Sequence, residues 1–486
     1  MFSFFFFLQT RSLYMKNNQS KENYIMKLGK SKDYDVNYLA KVVEIKTFKQ
    51  HSDPTATKLK SCLVDGFNIV VNVDEKPGKF IYFPVMSQIN EDLLRFANLF
   101  RHSEKNSNAE KTGFFEDSGR VKPIKLRGEV SDGFLLGIDI FTSWLLDSVN
   151  KVPDNLDPGV EFDEINEGLK HFWVCKKYYP RNYRIRENKA KPWRNIKVKK
   201  CWDKIIPSQF RFHYQTLLLR KCPSVIHPED LIHISQKVNG TSGVSAYVIC
   251  KKPLTWKEKI AKWLTKDDTI GLTYDYVYSS RTVIKNKNYN PGKENEGFYG
   301  VDVWKYANDV LKPFLQKGMT LYYEIVGYLP SGAYIQKDYD YGCVPPKDSS
   351  DYKYGVNFDI QIYRVTMTNV DGNVHEFSPH EVRVWCGNNG LHPVEEYYYG
   401  YAKDLYPDLD TRKIDWCQQF LDRLADDKNF YMECMSPSCK NKVPHEGIVI
   451  KKDNMVSEAF KLKCFAYLDA RSKRLAKGGR DMEDEN

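Results

Sequence analysis

Five short segments built around charged residues follow one another between Ser235 and Lys463, and they limit the possible fold more than any other feature of the chain. The first is Ser235-Gln236-Lys237-Val238-Asn239-Gly240-Thr241-Ser242-Gly243. Leu321-Tyr322-Tyr323-Glu324-Ile325-Val326-Gly327 and Tyr354-Gly355-Val356-Asn357-Phe358-Asp359-Ile360 come next. His445-Glu446-Gly447-Ile448-Val449-Ile450 and Phe460-Lys461-Leu462-Lys463-Cys464 close the series. A glutamate inside or at the edge of an apolar strand is costly to bury unless something meets its charge. Lys461 and Lys463, two apart, share one face of a strand and can reach one anionic group. Singly, each segment has an ordinary explanation: a Lys-x-Asn-Gly surface turn, a solvent-facing strand glutamate, a core phenylalanine. In sequence they require a fold that gathers strand-borne charges around one cleft.

The chain of 486 residues is long enough for two or three domains, and 42% hydrophobic with 28% charged residues is a globular balance. The formal net charge of +10 favours a polyanionic partner such as nucleic acid, although a solvated basic surface accounts for it equally well. Eleven cysteines without a regular framework point to a reducing, intracellular compartment, cytoplasmic or nuclear, rather than to secretion. Cys434 and Cys439 have no second matching pair and make a weak zinc motif. The start Phe2-Ser3-Phe4-Phe5-Phe6-Phe7-Leu8 is too short to span a bilayer and lacks the basic flank of a signal peptide. Residues 1–30 therefore read as a disordered leader, and no membrane partner is expected.

From residue 31 to 145 short strands alternate with turns. Tyr38–Ile45, Leu59–Val64, Phe67–Val73, Phe80–Phe83, Ile124–Gly128 and Gly133–Leu136 read as strands, with a tight turn at Asp65-Gly66. So many short strands within about a hundred residues predict a small closed barrel of the OB type. Residues 146–200 read as a linker in which basic and aromatic residues mix, as in Lys176-Lys177-Tyr178-Tyr179-Pro180-Arg181 and Lys191-Pro192-Trp193-Arg194. Such a mixture suits single-stranded nucleic acid or a merely charged linker. From 201 to 475 strand-like and helix-like segments alternate, among them a helix over 413–430 with Ile414, Cys417, Phe420, Leu421 and Leu424 on one face. Residues 476–486 form a charged tail. The expected fold class is α+β.

The chemistry available to these segments is that of phosphate groups. A lysine attacks phosphorus only as the neutral amine, so a site for it must offset an ordinary pKa of about 10.4 with nearby cations or desolvation. Arg281, Lys461 and Lys463 are suited to that, and to neutralising charge on phosphates. Asn239 can bond a ribose hydroxyl, and Gly240 lets the backbone come close to a nucleotide. Glu324 suits ribose hydroxyls, Phe358 can stack on a purine, and Glu446 can hold magnesium beside phosphates.

The set resembles the covalent nucleotidyltransferase superfamily of ligases and capping enzymes, and within it the ATP-dependent RNA ligases of the phage RNA ligase 2 type. Lys237-Val238-Asn239-Gly240 looks like their nucleophile motif, and Ser279-Ser280-Arg281 like their Ser-Arg element. Ile335-Gln336-Lys337, Asp340-Tyr341-Gly342, Asn357–Ile360, Glu446–Val449 and Lys461-Leu462-Lys463 complete a likeness that covers about residues 201–470. Gln236, Asn239 and Ser242 depart from the usual glutamate, acidic or histidine residue, and asparagine of that family. The amino-terminal region is similar to the OB domain of Deinococcus-type RNA ligases through Asp53–Asp65 and Lys125–Leu135. Only 23 residues follow Lys463 (486 − 463), too few for the carboxy-terminal OB domain of DNA ligases and capping enzymes.

The resemblance implies an OB-like β-barrel followed by a nucleotidyltransferase domain, an ATP-grasp-like ligase adenylation fold of antiparallel sheets and helices. It implies an enzyme that seals 3′-hydroxyl and 5′-phosphate RNA ends through a lysyl-AMP on Lys237, in RNA repair. ATP would be held by Asn239, Gly240, Arg281, Glu324, Phe358, Lys461 and Lys463, magnesium or manganese by Glu446, and nicked duplex or broken structured RNA would be the partner. The rival readings are a capping guanylyltransferase and a non-catalytic RNA-binding protein of the same fold.

Overall fold

The computed structural model describes residues 26–167, 170–180, 204–286, 299–347, 351–453 and 458–478. The chain divides into two compact units, Met1–Tyr178 and Tyr179–Asn486.

The first unit is built from short antiparallel ladders. Its strands are β1 (Met26–Gly29), β2 (Ala40–Ile45), β3 (Lys49–Gln50), β4 (Leu59–Val64), β5 (Phe67–Asn72), β6 (Gly78–Pro84), β7 (Ser87–Ile89), β8 (Ile124–Leu126), β9 (Glu129–Ser131), β10 (Gly133–Gly137), β11 (Glu161–Phe162), β12 (Glu164–Glu167), β13 (Lys170–Trp173) and β14 (Cys175–Lys177). The expected strands form, some of them trimmed: Tyr38 ends a 3-10 turn before β2, and Arg127 and Gly128, with φ of 50° and 89°, make the turn between β8 and β9. The β4–β5 hairpin pairs Val64 with Phe67 around Asp65, whose φ of 51° is the left-handed value that such a two-residue turn demands.

The expected closed barrel is not formed among the described residues. The strands pair instead as β10-β6-β2-β11, β3-β4-β5, β1-β12-β13, β14-β7 and β8-β9. The β4–β5 hairpin meets the β9–β10 region through isolated bonds, Val70 N to Ser131 Oγ at 3.0 Å and Asp132 N to Asn68 O at 2.8 Å, rather than through a continuous ladder. Two boundaries also move. Met26–Gly29, placed in the leader, pairs with β12. Residues 146–167 and 170–178, placed in the linker, are folded: Phe162, Ile165, Val174 and Cys175 join the buried core around Ile81, Phe83, Phe141 and Trp144. Alternation within two- to four-residue strands is too short a signal to separate them from a linker. Lys176 lies over the Trp173 ring at 4.6 Å, whereas residues 181–200 of the basic-aromatic stretch lie outside the described residues.

The second unit holds two larger sheets. Its strands are β15 (Leu217–Leu218), β16 (Leu231–Gln236), β17 (Thr241–Lys251), β18 (Leu272–Ser280), β19 (Met319–Gly327), β20 (Phe358–Thr368), β21 (Val374–Glu376), β22 (His392–Pro393), β23 (Glu396–Tyr401), β24 (Gly447–Lys452) and β25 (Glu458–Lys463). One sheet runs β15-β25-β24-β16-β23 and the other β18-β17-β19-β20-β21, with β22 beside β20. Apart from the short parallel pairs β15–β25 and β20–β22 the ladders are antiparallel.

The outer faces are covered by helices. Trp416–Ala425 buries Trp416, Phe420, Leu421 and Leu424 against Ile232, Ile234, Ile448 and Ile450. The helix begins after Ile414, which is fully exposed and not on the packed face. Val303–Leu311 buries Trp304, Ala307 and Leu311 against Leu321, Tyr323, Ile325, Phe358, Ile360 and Ile362. Successive residues of a strand point to opposite faces, so the alternate residues of these strands turn to the other side of each sheet.

A candidate nucleotide-binding cleft

That other side is a cavity of about 680 Å³, bordered by both sheets of the second unit. Its lining follows from strand alternation. In β16, Ile232 and Ile234 go to the core, while His233, Ser235 and the following Lys237 line the cavity. Phe460 and Leu462 are core and Lys461 and Lys463 line the cavity. On β19, Leu321, Tyr323 and Ile325 are core and Glu324 lines the cavity.

Lys237 follows the last residue of β16, and its backbone N–H donates to Gly447 O at 2.9 Å, which ties it to the start of β24. Its Nζ lies 2.8 Å from Glu446 Oε1, and Lys463 Nζ lies 3.4 Å from the same oxygen. Glu446 is buried. Burial alone would raise its pKa, but Lys237 and then Lys463 outweigh that and hold the carboxyl below its ordinary value. Lys463 is pushed well below the ordinary lysine value, mainly by burial, with Glu446 pulling the other way. Val449 pairs with Lys461 and Gly447 with Lys463 across the β24–β25 hairpin, so the last two lysines and Glu446 are fixed by one ladder.

The turn after Lys237 is held from three directions. Asn239 N donates to Tyr341 Oη at 2.9 Å, and Tyr341 Oη donates back to Asn239 O at 3.1 Å. Gln336 Nε2 donates to Gly240 O at 2.6 Å, and Trp304 Nε1 to Ser242 O at 2.8 Å. Gly240 is required by the packing of two strands. A Cβ there would lie 2.8 Å from Ile325 O and 3.0 Å from Glu324 Cβ, so the missing side chain lets β17 start close against β19.

Glu324 is the second acid of the cavity. It pairs in register with Ser242 on one side and Gln361 on the other. Its Oε2 is buried and has no hydrogen-bond partner among the described residues. Burial pushes its carboxyl up to about 8, Lys237 opposes this in part, and Glu446 adds to it. The folded state therefore keeps a proton that the unfolded chain releases above the ordinary value of 4.5. By linkage this group favours the native state at low pH and loses that contribution as pH rises from about 4.5 to about 8. Glu324→Gln keeps the neutral shape, so its melting temperature is expected to gain on that of the native chain across this window. Two parallel melting curves between about pH 5 and 9 would show instead that the carboxyl ionises in place.

Seven of the eight residues proposed from sequence for nucleotide binding or nucleophilic attack line the cavity, namely Lys237, Asn239, Gly240, Arg281, Glu324, Lys461 and Lys463, and so does Glu446. Phe358 does not. It is 2% exposed, stacks on Tyr352 at 4.7 Å between ring centroids and belongs to the core under the six-stranded sheet. Its position in β20 puts it in phase with the core residues Ile360 and Ile362.

Sequence reading missed three groups. His213 lines the cavity, is half-buried, and is pushed well below its ordinary value by desolvation, then by Arg364, Arg281, Lys461 and Lys237. Its Nδ1 has no hydrogen-bond partner among the described residues. No local pattern marks it. Tyr363, whose Oη lies 3.3 Å from Ser242 Oγ, and Gln361 were legible as the alternate residues to Ile360 and Ile362. A third group ties the sheets together: Glu376 accepts from Arg364 Nε at 2.9 Å and from Lys451 Nζ at 2.7 Å.

Among the described residues no three His, Cys, Asp or Glu side chains group into a ready-made metal cage, and Cys434 and Cys439 are free thiols. Glu446 still fits a magnesium or manganese ion of the kind that takes one or two carboxylates and completes its ligands with water and phosphate oxygens.

Neither protein-family models nor curated proteins give a match to the chain. Solved structures do. Two mutants of the RNA ligase of Naegleria gruberi, each with AMP and manganese, match at 16% and 17% identity with TM-scores of 0.50. They cover 90% of this chain and 100% and 99% of their own. A third mutant of that ligase, in the apo form, matches at 16% identity and TM-score 0.50 over 90% of this chain and 99% of its own. The fold is that of an RNA ligase.

Proposed function

We propose that this chain is an ATP-dependent RNA ligase that joins a 3′-hydroxyl to a 5′-phosphate through a lysyl-AMP on Lys237. The observation that carries the proposal is the cluster of Lys237, Glu446 and Lys463, with Lys237 Nζ 2.8 Å from Glu446 Oε1 on the wall of the cavity. Similarity in fold to a ligase solved with AMP and manganese supports it.

In the first step the neutral Lys237 amine forms a P–N bond to the α-phosphorus of ATP. The bond from that phosphorus to its bridging oxygen breaks, the electron pair leaves with pyrophosphate, and the amine proton passes to solvent. Lys461, Lys463 and Arg281 oppose the negative charge that builds on the phosphates. Asn239 and Glu324 address the ribose, Glu324 as a protonated donor at neutral pH. Glu446 would hold a divalent cation, which screens phosphate charge when bound. An RNA 5′-phosphate oxygen then takes the AMP and frees the lysine. A 3′-hydroxyl finally displaces AMP. The adenine contact expected of Phe358 is dropped because that ring is in the core. The first unit would engage RNA, as its resemblance in sequence to the OB domain of Deinococcus-type RNA ligases implies.

The test is incubation with α-labelled ATP or GTP and magnesium, followed by sealing of a nicked duplex carrying RNA on both sides of the break. The expected result is label on the protein from ATP and a joined strand. Label from GTP alone would favour a capping guanylyltransferase, and RNA binding without label a non-catalytic protein.

A further inference from the structure

The Trp256–Thr265 helix stands apart from both cores. None of its ten residues is buried, and it joins β17 to β18 beyond the end of their ladder at Lys251 and Leu272. Lys252 N donates to Gly271 O at 2.8 Å and closes the base of the insertion. Thr255 and Glu258 form a capping box at its start. Despite this exposure, Trp256, Ile260, Trp263 and Leu264 are 69%, 49%, 77% and 66% accessible. At about 100° per residue they form one stripe roughly 100° wide, with the tryptophans about 10 Å apart along the axis. Lys257 borders the stripe on one side and Lys259 on the other, and Lys266 follows as the helix's left-handed C-cap. Between Lys251 and Gly271 there are six lysines against three carboxylates.

A ten-residue helix is marginal in water on its own, and four large apolar side chains left in solvent are an unfinished interface. The side chains choose among occupants. Ile260 and Leu264 have no π-face to stack on bases, which disfavours RNA on this stripe. An apolar stripe with tryptophan at both ends and lysines along both borders suits a boundary between acyl chains and anionic headgroups, since lysine stems can reach outward while rings and aliphatic groups sink. We propose that the Trp256–Thr265 helix docks the protein on the surface of an anionic phospholipid membrane, lying in the interface plane. This does not require a membrane-spanning segment: among the described residues no helix is long and apolar enough to cross a bilayer. It revises the expectation of no membrane partner and is independent of the ligase reading.

The experiment is co-sedimentation of the full chain with phosphatidylcholine vesicles, pure or with about 30% phosphatidylserine, at physiological salt. The native protein is expected to sediment with the anionic vesicles and much less with the neutral ones. Trp256→Ala/Trp263→Ala and Lys257→Glu/Lys259→Glu/Lys266→Glu are each expected to weaken that binding by roughly tenfold or more. Both variants are expected to melt as the native chain does, because no altered residue is buried. The proposal is overturned if the native protein does not sediment with anionic vesicles, or if both variants sediment as it does. It is also overturned if the tryptophan variant loses affinity for a single-stranded RNA oligomer while vesicle binding is unchanged, which would make the helix an RNA platform.

Discussion

Lys237→Ala is expected to abolish transfer of labelled adenylate from ATP to the protein, to less than about one thousandth of the native level, because on the proposed mechanism no other side chain replaces the covalent nucleophile. The cavity contains other amines, and this makes the result informative. Lys461 and Lys463 line the same space, but Lys463 is almost fully buried, with its Nζ 3.4 Å from Glu446 Oε1. The alanine variant removes a partly exposed side chain, so the fold is expected to remain. Sealing of an RNA strand that already carries 5′-linked adenylate bypasses the first step and is expected to survive far better than sealing with ATP. Persistent labelling of the variant would sink Lys237 as the nucleophile, and a variant that fails on both substrates would assign it a wider role.

Glu446→Gln is expected to reduce both stability and adenylation. The carboxylate is the shared counter-charge of Lys237 and Lys463, and the latter is 6% exposed. Removing one partner of such a pair leaves an uncompensated buried cation, which costs about 3–5 kcal/mol. Adenylation is expected to fall by about a hundredfold or more, since both lysines lose their anchor and, on the proposed mechanism, a divalent cation would lose its carboxylate. The two losses separate in the double variant Glu446→Gln/Lys463→Met. It removes both buried charges and is expected to recover much of the stability while remaining inactive. A double variant no more stable than the single one would show that the ion pair does not hold this corner together. The pH dependence has a definite sign. The Glu446 carboxyl lies below its ordinary 4.5 in the folded state, so its contribution is present above about pH 4.5 and is lost as pH falls through the folded value.

The site was more legible than the architecture around it. Lys461 and Lys463 could be put on one face from their spacing, because strand geometry has period two, and the ladder with Gly447 and Val449 confirms that face. Glu446 before an apolar strand was legible because a charge there must meet a partner, which Lys237 and Lys463 supply; Glu324, singled out on the same ground, instead has an Oε2 without a hydrogen-bond partner among the described residues. Phe358 failed on the same rule, since its phase with Ile360 and Ile362 sends it to the core. His213 was not legible. It lies well upstream of Lys237 in a segment without periodicity, and only the packing of Tyr322 and Tyr363 around it, with ring centroids 5.9 and 5.1 Å away, marks it as part of the cavity.

The amino-terminal strands were legible one by one, but their pairing was not. A hairpin is set by two neighbouring strands and a turn such as Asp65-Gly66, all local in sequence. Whether ladders close into a barrel depends on hydrogen bonds between strands far apart, such as β2 with β11 and β1 with β12, and no local pattern records them. Sequence alone thus determined which side chains carry charge, which strands they ride on and which face each one takes. Only the tertiary structure decided that Lys237, Glu446 and Lys463 meet at one carboxylate oxygen, that Glu324 Oε2 is enclosed without a hydrogen-bond partner among the described residues, and that the Trp256–Thr265 helix stays uncovered. Meeting and burial are properties of segments brought together across hundreds of residues, whereas alternation is a property of each strand by itself.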